Sequence, residues 1–170
     1  SEVFANFGGF LLFLAMKFPE PELSETPEQP IEFFFEDVEF DLPDEQLLRD
    51  WLLSVAAGED KTVFAINYVF CSDEHLRGIN VEFLDHDYYT DIITFDNGDG
   101  GPDLSGEMYI STERVADNAR TLGVPFRSEL CRVMVHGLLH LAGYGDKTAE
   151  QEALMRQKED FYLQKLPAAG

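Results

Sequence analysis

The 170-residue sequence predicts one small α+β or mixed-sheet domain, and three observations carry that prediction. Strand-like and helix-like runs interleave irregularly, without the strict alternation of a doubly wound fold. The length suits a single hydrophobic core, and 45% of the residues are apolar, with 15 phenylalanines as bulky core material. No internal repeat divides the chain.

The chain opens on an apolar run, FANFGGFLLFLAM at 4–16, which is too short to cross a bilayer and has no basic residue before it. It reads as an appendage that packs on the domain or stays mobile, with a trimmed leader as the minor alternative; no membrane role is expected. Residues 17–30, KFPEPELSETPEQP, are rich in Pro and Glu and make a linker. The extension therefore spans 1–30, and ordered structure is expected from IEFFFEDVEF, a phenylalanine-rich run of strand length.

A helix follows in LPDEQLLRDWLLSVAAGED, where Leu47, Leu48, Trp51, Leu52 and Val55 recur at helical spacing. Asp44 is its expected N-cap and Gly58 its expected stop. KTVFAINYVFC is β-branched and aromatic, hence a strand. SDEHLRGINVEFL gives a short helix capped by Ser72. TDIITFD is a strand, NGDGGPDLSG a turn-rich loop, and EMYISTERV a strand running into a helix capped near Ser111 or Thr112. VPFRSELCRVMVHGLLHLAG is apolar over most of its circumference and predicts a central, buried helix. The last helix is TAEQEALMRQKEDFYLQKL, opened by a Thr148–Gln151 capping box.

Formal net charge is −21, which weighs against nucleic acid as a partner until its distribution is read. Residues 1–105 hold 4 Lys/Arg and 24 Asp/Glu; residues 106–170 hold 8 and 9, almost neutral. An acidic surface slows the approach of a polyanion without forbidding a local basic groove. Cys71 and Cys131 are too few for a disulfide framework and lack metal-type spacing, which fits buried thiols in a reducing, cytoplasmic compartment.

The chemistry concentrates in HGLLHLAGYGDK at 136–147. Residues four apart share a helix face, so His136 and His140 can aim two imidazoles at one point. The spacing matches the HExxH metalloproteases, but Gly137 stands where their glutamate base would be, which argues against such a protease. Gly143 can end the helix and Gly145 adds freedom to double back, bringing Asp146 near the imidazoles as a third ligand. Two histidines and a carboxylate suit zinc, and also iron, nickel or manganese, with an open position for water. On spacing alone, a hydrogen-bonded histidine pair in a core and an ordinary turn aspartate remain the alternative.

HGLLHLAGYGDK resembles the signature H-G-x-L-H-L-x-G-Y-D-H of the YbeY family of bacterial endoribonucleases. GINVEFLDHDYYTDIITFD is similar to that family's "LN…hD…TDVLSF" segment and SGEMYISTERVADNA to its "GDI.IS…v..nA" segment, in the same order. MRQKED sits where the family has a Met and an acidic pair. The resemblance covers residues 31–166. It implies a compact α+β domain with a mixed sheet of about four strands around a central metal-binding helix. It also implies one divalent ion, zinc first, and a metal-dependent, single-strand-specific endoribonuclease acting in ribosomal RNA maturation, including the 16S 3′ end, and in ribosome quality control. The small ribosomal subunit and ribosome-associated proteins are the implied partners. A non-enzymatic ribosome-associated factor with a structural metal, and a metal-dependent hydrolase of another substrate, are the rival readings.

Carried over residue by residue, the metal ligands fall on His136, His140 and Asp146, the last in place of a family histidine. A carboxylate there adds negative charge and weakens the ion as a Lewis acid. The family's arginine after "LN" falls on Leu84, so any cation that meets the scissile phosphate must come from elsewhere; Arg77, Arg127 and Lys147 are the candidates by sequence. Glu107, at the family's acidic strand position, is a candidate partner for a histidine N–H. Thr90 and Asp91 read as a strand start, His86 as a loop residue with reach to the cleft as the alternative, and His75 receives no function.

Overall fold

The ten-residue run TVFAINYVFC forms the strand around which the domain is organised, because its aromatic and β-branched side chains can be buried on both faces of a sheet. The structure is a computed structural model that describes residues 29–168 and the backbone of 3–6. In chain order the elements are β1 (Val3–Asn6), β2 (Ile31–Phe35), α1 (Glu45–Gly58), β3 (Thr62–Cys71), α2 (Asp73–Leu84), β4 (Ile92–Asp96), β5 (Asp103–Ser111), α3 (Thr112–Leu122), α4 (Phe126–Leu141) and α5 (Ala149–Leu163).

The sheet runs β1-β4-β5-β3-β2. Strands β2 and β5 flank β3 in parallel, β4 and β5 form an antiparallel pair, and β1 pairs with β4 in parallel. The sheet is therefore mixed, as expected, with four strands from residues 31 onward. The fifth corrects the expected start of ordered structure: Val3–Asn6, assigned by sequence to the extension, adds an edge strand beside Ile93–Asp96. The linker reading of 17–28 lies outside the described residues.

Alternation along the strands divides the core in two. Ile66, Tyr68, Phe70, Met108, Ile110 and Ile92 face a large cluster shared with α1, α4 and α5. Val69, Cys71, Tyr109, Ile93 and Phe95 face a smaller one closed by Leu76 and Ile79 of α2. The central helix α4 buries eleven of its sixteen residues, in keeping with its apolar circumference. Hydrogen bonds stitch the large face together: the Tyr68 hydroxyl donates to the Met134 carbonyl at 2.9 Å, and Trp51 Nε1 donates to the Tyr162 carbonyl at 3.0 Å. No helix among the described residues is long and apolar enough to cross a membrane.

Ser72, Ser111 and Thr148 each accept a backbone N–H at a helix start, and Thr148 with Gln151 closes the capping box. Two expected boundaries have other causes. Asp44 is left-handed (φ 57°) and makes no side-chain cap. Gly58 ends α1, but the left-handed residue beyond it is Asp60 (φ 56°). Gly58 instead admits Tyr162, whose hydroxyl oxygen would lie 2.8 Å from an added Cβ. Residues 103–106, expected in a loop, belong to β5 because pairing with Thr62–Ile66 extends the strand. At Gly106 an added Cβ would stand 2.6 Å from the Phe95 carbonyl oxygen, so only glycine lets β4 and β5 approach this closely.

Candidate metal centre

Helix α4 lies against β4 and β5 at a separation that its own sequence sets. A Cβ on Gly137 would fall 2.4 Å from Met108 Sδ and 2.9 Å from Ile92 Cδ1. The glycine after the first histidine is thus a packing residue, which accounts for the missing glutamate of the protease motif. With the helix seated there, His136 and His140 point from one flank, their rings 4.7 Å apart and nearly perpendicular. His140 is buried; His136 is partly open.

Past Leu141 the chain reverses. Gly143 takes a positive φ of 110°, its N–H donates to the His140 carbonyl, and the Tyr144 N–H donates to the Leu139 carbonyl. The reversal returns Asp146 to the histidines. His136 Nε2 and His140 Nε2 are 3.2 Å apart, and Asp146 Oδ2 stands 3.5 and 3.4 Å from them. An ion with bonds of about 2.0–2.1 Å to a tetrahedral shell separates its donors by about 3.3 Å. The three atoms therefore already form one face of such a shell, and they are a group that could hold a metal ion.

A buried carboxylate sets the histidine chemistry. Glu159 Oε2 lies 2.7 Å from His136 Nδ1, and the bond fixes the proton on that nitrogen and leaves the Nε2 lone pair for a ligand role. Glu159 is held in turn by Arg132, whose Nη1 donates to Oε1 at 3.0 Å while Nη2 reaches Asp160 at 2.8 Å. Burial disfavours the Arg132 cation, but those two carboxylates outweigh it and hold its pKa above the ordinary value. The sequence places Glu159 in the family's acidic pair but assigns it no role. Its signal was present: with Met155 and Tyr162 it falls on the buried stripe of α5, where an acidic residue needs a reason.

The site opens into a cleft of about 760 Å³, lined among others by Asp91, Glu129, Arg132, His136, Asp146, Lys147, Arg156 and Glu159. Burial pushes the Glu129 carboxyl up, partly offset by Arg132. The cleft wall thus sets three cations, Arg132, Lys147 and Arg156, among five carboxylates, Asp91, Glu129, Asp146, Glu152 and Glu159.

The model of the family described as Endoribonuclease YbeY matches residues 32–167. Proteins named Endoribonuclease YbeY from Cytophaga hutchinsonii and Flavobacterium johnsoniae are 48% and 50% identical, over 136 and 130 residues. The alignments cover 80% and 76% of this chain and 95% and 92% of those proteins. The chain belongs to the YbeY family. A solution structure of TM1509 from Thermotoga maritima is similar with a TM-score of 0.58 at 27% identity, over 80% of this chain and 88% of that one.

Against the YbeY pattern, the metal-ligand candidates come together and several other candidates do not. Leu84, at the family's arginine position, ends α2 and packs on the smaller core across the sheet. Arg77 is also on α2, tied to Asp87 at 2.7 Å and to Glu74, away from the cleft lining. Arg127 stands in the first turn of α4, its Nε and Nη2 shut off from solvent, and does not line the cleft. Lys147 does, joined by Arg132 and Arg156, which the sequence reading did not single out. Glu107 is on the wrong face: it pairs with Asn67 across the β3–β5 register, and burial raises its pKa against that hydrogen bond. The histidine partner is Glu159 instead. His86 is exposed and stacked on Tyr88; His75 pairs with Glu36 at 2.7 Å. Thr90 is buried, and Asp91 both accepts from Asn118 and borders the cleft.

Proposed function

We propose that this protein is a metal-dependent, single-strand-specific endoribonuclease that works in the cytoplasm on ribosomal RNA, in maturation of the 16S 3′ end and in ribosome quality control. Its proposed partners are the small ribosomal subunit and proteins bound to it. The observation that carries the reading is the triangle of His136, His140 and Asp146 opening on a cleft lined by both carboxylates and cations, Lys147 and Arg156 among them, in a chain whose relatives are named endoribonucleases.

In this reading His136, His140 and Asp146 hold one divalent ion, zinc first. When bound, the ion supplies Lewis acidity toward a phosphoryl oxygen and a place for water. Glu159 keeps the His136 ring in the tautomer that presents Nε2, and Arg132 keeps Glu159 from rotating away. Lys147 sits exposed next to the ligand Asp146 and supplies the charge that the family's arginine would have brought to the scissile phosphate. Arg156, bound only at 3.6 Å to Glu159 and more than half exposed, adds a second phosphate contact along the groove.

Preference for unpaired RNA follows from charge. A rigid duplex brings two phosphate rows toward an acidic protein, whereas a single strand can bend to bring one phosphodiester to Lys147 and Arg156. Three donors beside an open cleft, counted among the described residues, also match catalytic sites and not closed four-ligand structural ones.

The test is metal analysis together with cleavage of single-stranded and duplex ribosomal RNA fragments, for wild type and His140→Ala. Expected are one ion per chain, cutting of the single strand, and roughly a hundredfold loss in the variant or after chelation, the scale of several kcal/mol of charge stabilisation. Bound metal without metal-dependent cleavage would favour the non-enzymatic factor.

A further inference from the structure

The loop that carries Asp146 reads Gly143-Tyr144-Gly145-Asp146, with a glycine on each side of the tyrosine. Two glycines give such a segment more backbone freedom than residues with side chains would allow. A metal-ligating carboxylate must nevertheless be held within about 0.5 Å of its position to be useful. The backbone bonds from Gly143 and Tyr144 to the end of α4 remove part of that freedom, and contacts from outside the loop remove more.

Downstream of Asp146 the anchor is local. Gln151 Oε1 accepts the Lys147 and Thr148 N–H groups at 3.0 and 3.3 Å. Upstream, beyond the backbone bonds to α4, the Tyr144 side chain has an anchor that is distant in sequence. The Tyr144 hydroxyl donates to Glu59 Oε2 at 2.7 Å, across 85 residues. Glu59 follows the last residue of α1, and its other oxygen accepts from Lys158 Nζ at 2.8 Å and from the Tyr162 hydroxyl at 2.5 Å, both on α5. The Lys158 ammonium also lies 5.3 Å over the Tyr144 ring. Gly58 lets Tyr162 approach. One carboxylate thus joins α1, α5 and the tip of the ligand loop, at the tyrosine that stands two residues before Asp146.

We propose that Glu59 is a positioning residue for the metal centre: by holding Tyr144 it fixes the loop so that the Asp146 carboxylate meets the two imidazoles. It touches neither metal nor RNA. Its effect passes through Asp146, and the inference rests on the metal site proposed above. Burial alone would push the Glu59 carboxyl up, but the bonds from Lys158, Tyr162 and Tyr144 together hold it below the ordinary value, so the acceptor is a carboxylate under neutral conditions.

The experiment is a zinc competition titration against a chromophoric chelator, on wild type, Glu59→Gln, Tyr144→Phe, Asp146→Ala and each of the first two combined with Asp146→Ala. The expected result is zinc affinity about 10–100-fold weaker in Glu59→Gln and Tyr144→Phe, the usual loss when a partner that orients a ligand is removed. In the Asp146→Ala background neither substitution should weaken binding further by more than about twofold, because the group they position is gone. Tyr144→Phe removes one hydroxyl and keeps the ring, so it carries the test if Glu59→Gln fails to fold. Zinc affinity within about twofold of wild type in folded single variants overturns the proposal. So does a loss that persists undiminished without Asp146, which marks a purely structural role. If wild type binds no zinc, the site reading itself fails and this inference falls with it.

Discussion

On the face of the sheet covered by α4, Gly137 sits where a methyl group would collide with Met108 and Ile92; on the opposite face, Gly78 of α2 has nothing within 4 Å of an added Cβ. Both glycines interrupt helices, where each forfeits about 0.5–1 kcal/mol relative to alanine. Only the first gains contact for it. The α4 face carries the larger core, both histidines and the cleft, whereas the α2 face carries a smaller core and an exposed rim with Tyr88, Tyr89 and Arg77. The comparison locates the constraint: Gly137 faces the sheet and sets how closely α4 approaches it, whereas Gly78 faces solvent and sets no such distance.

The glycine pair gives the largest expected contrast. Gly137→Ala overpacks a buried contact and should lower stability by about 1–3 kcal/mol, while Gly78→Ala, on an exposed helix position, should raise it by about 0.5–1 kcal/mol. Urea unfolding of both variants checks this. Equal effects would mean that α4 can back away from the sheet and that the histidines are not held by it.

A smaller contrast separates two acidic side chains. Three donors hold Glu59 below the ordinary carboxylate value, so its stabilising contribution is present above the unfolded value near 4.5 and is lost as pH falls through the folded one. Glu107 behaves in the opposite sense. Burial raises its pKa, so stability is lost as pH rises from about 4.5 through the folded value. Glu59→Gln should therefore be less stable than wild type at pH 7, with the gap closing as the medium is acidified. Glu107→Gln should match wild type near pH 4 and exceed it at pH 7. Unfolding curves over that interval decide both; parallel curves for the two variants would contradict the opposite shifts of the two carboxyls.

Periodicity made the helices legible, and the serine and threonine caps came with it, since both are local properties. The histidine pair and the returning aspartate were legible for the same reason: eleven residues of chain contain the whole triangle. Glu107 stands away from the histidines because a strand sends neighbours to opposite faces, and the sequence does not say which parity meets the metal helix. Glu159 and Glu59 act from α5 and α1, 23 and 85 residues from His136 and Tyr144. No short-range pattern carries contacts at that distance. Gly137 was noticed as an absent glutamate, yet its actual reason, the approach of helix to sheet, exists only after folding. Edge strand β1 was hidden because four residues at the start of a long apolar run have no strand signature of their own.

The central claim is that α4 and the loop beyond it assemble one ion site. X-ray absorption at the zinc edge on the zinc-loaded protein tests it most directly. The account predicts one ion per chain with two imidazole nitrogens at about 2.0–2.1 Å and a carboxylate oxygen at about 2.0–2.2 Å, the oxygen lost in Asp146→Ala. A shell without imidazole, or one unchanged by that substitution, would contradict it.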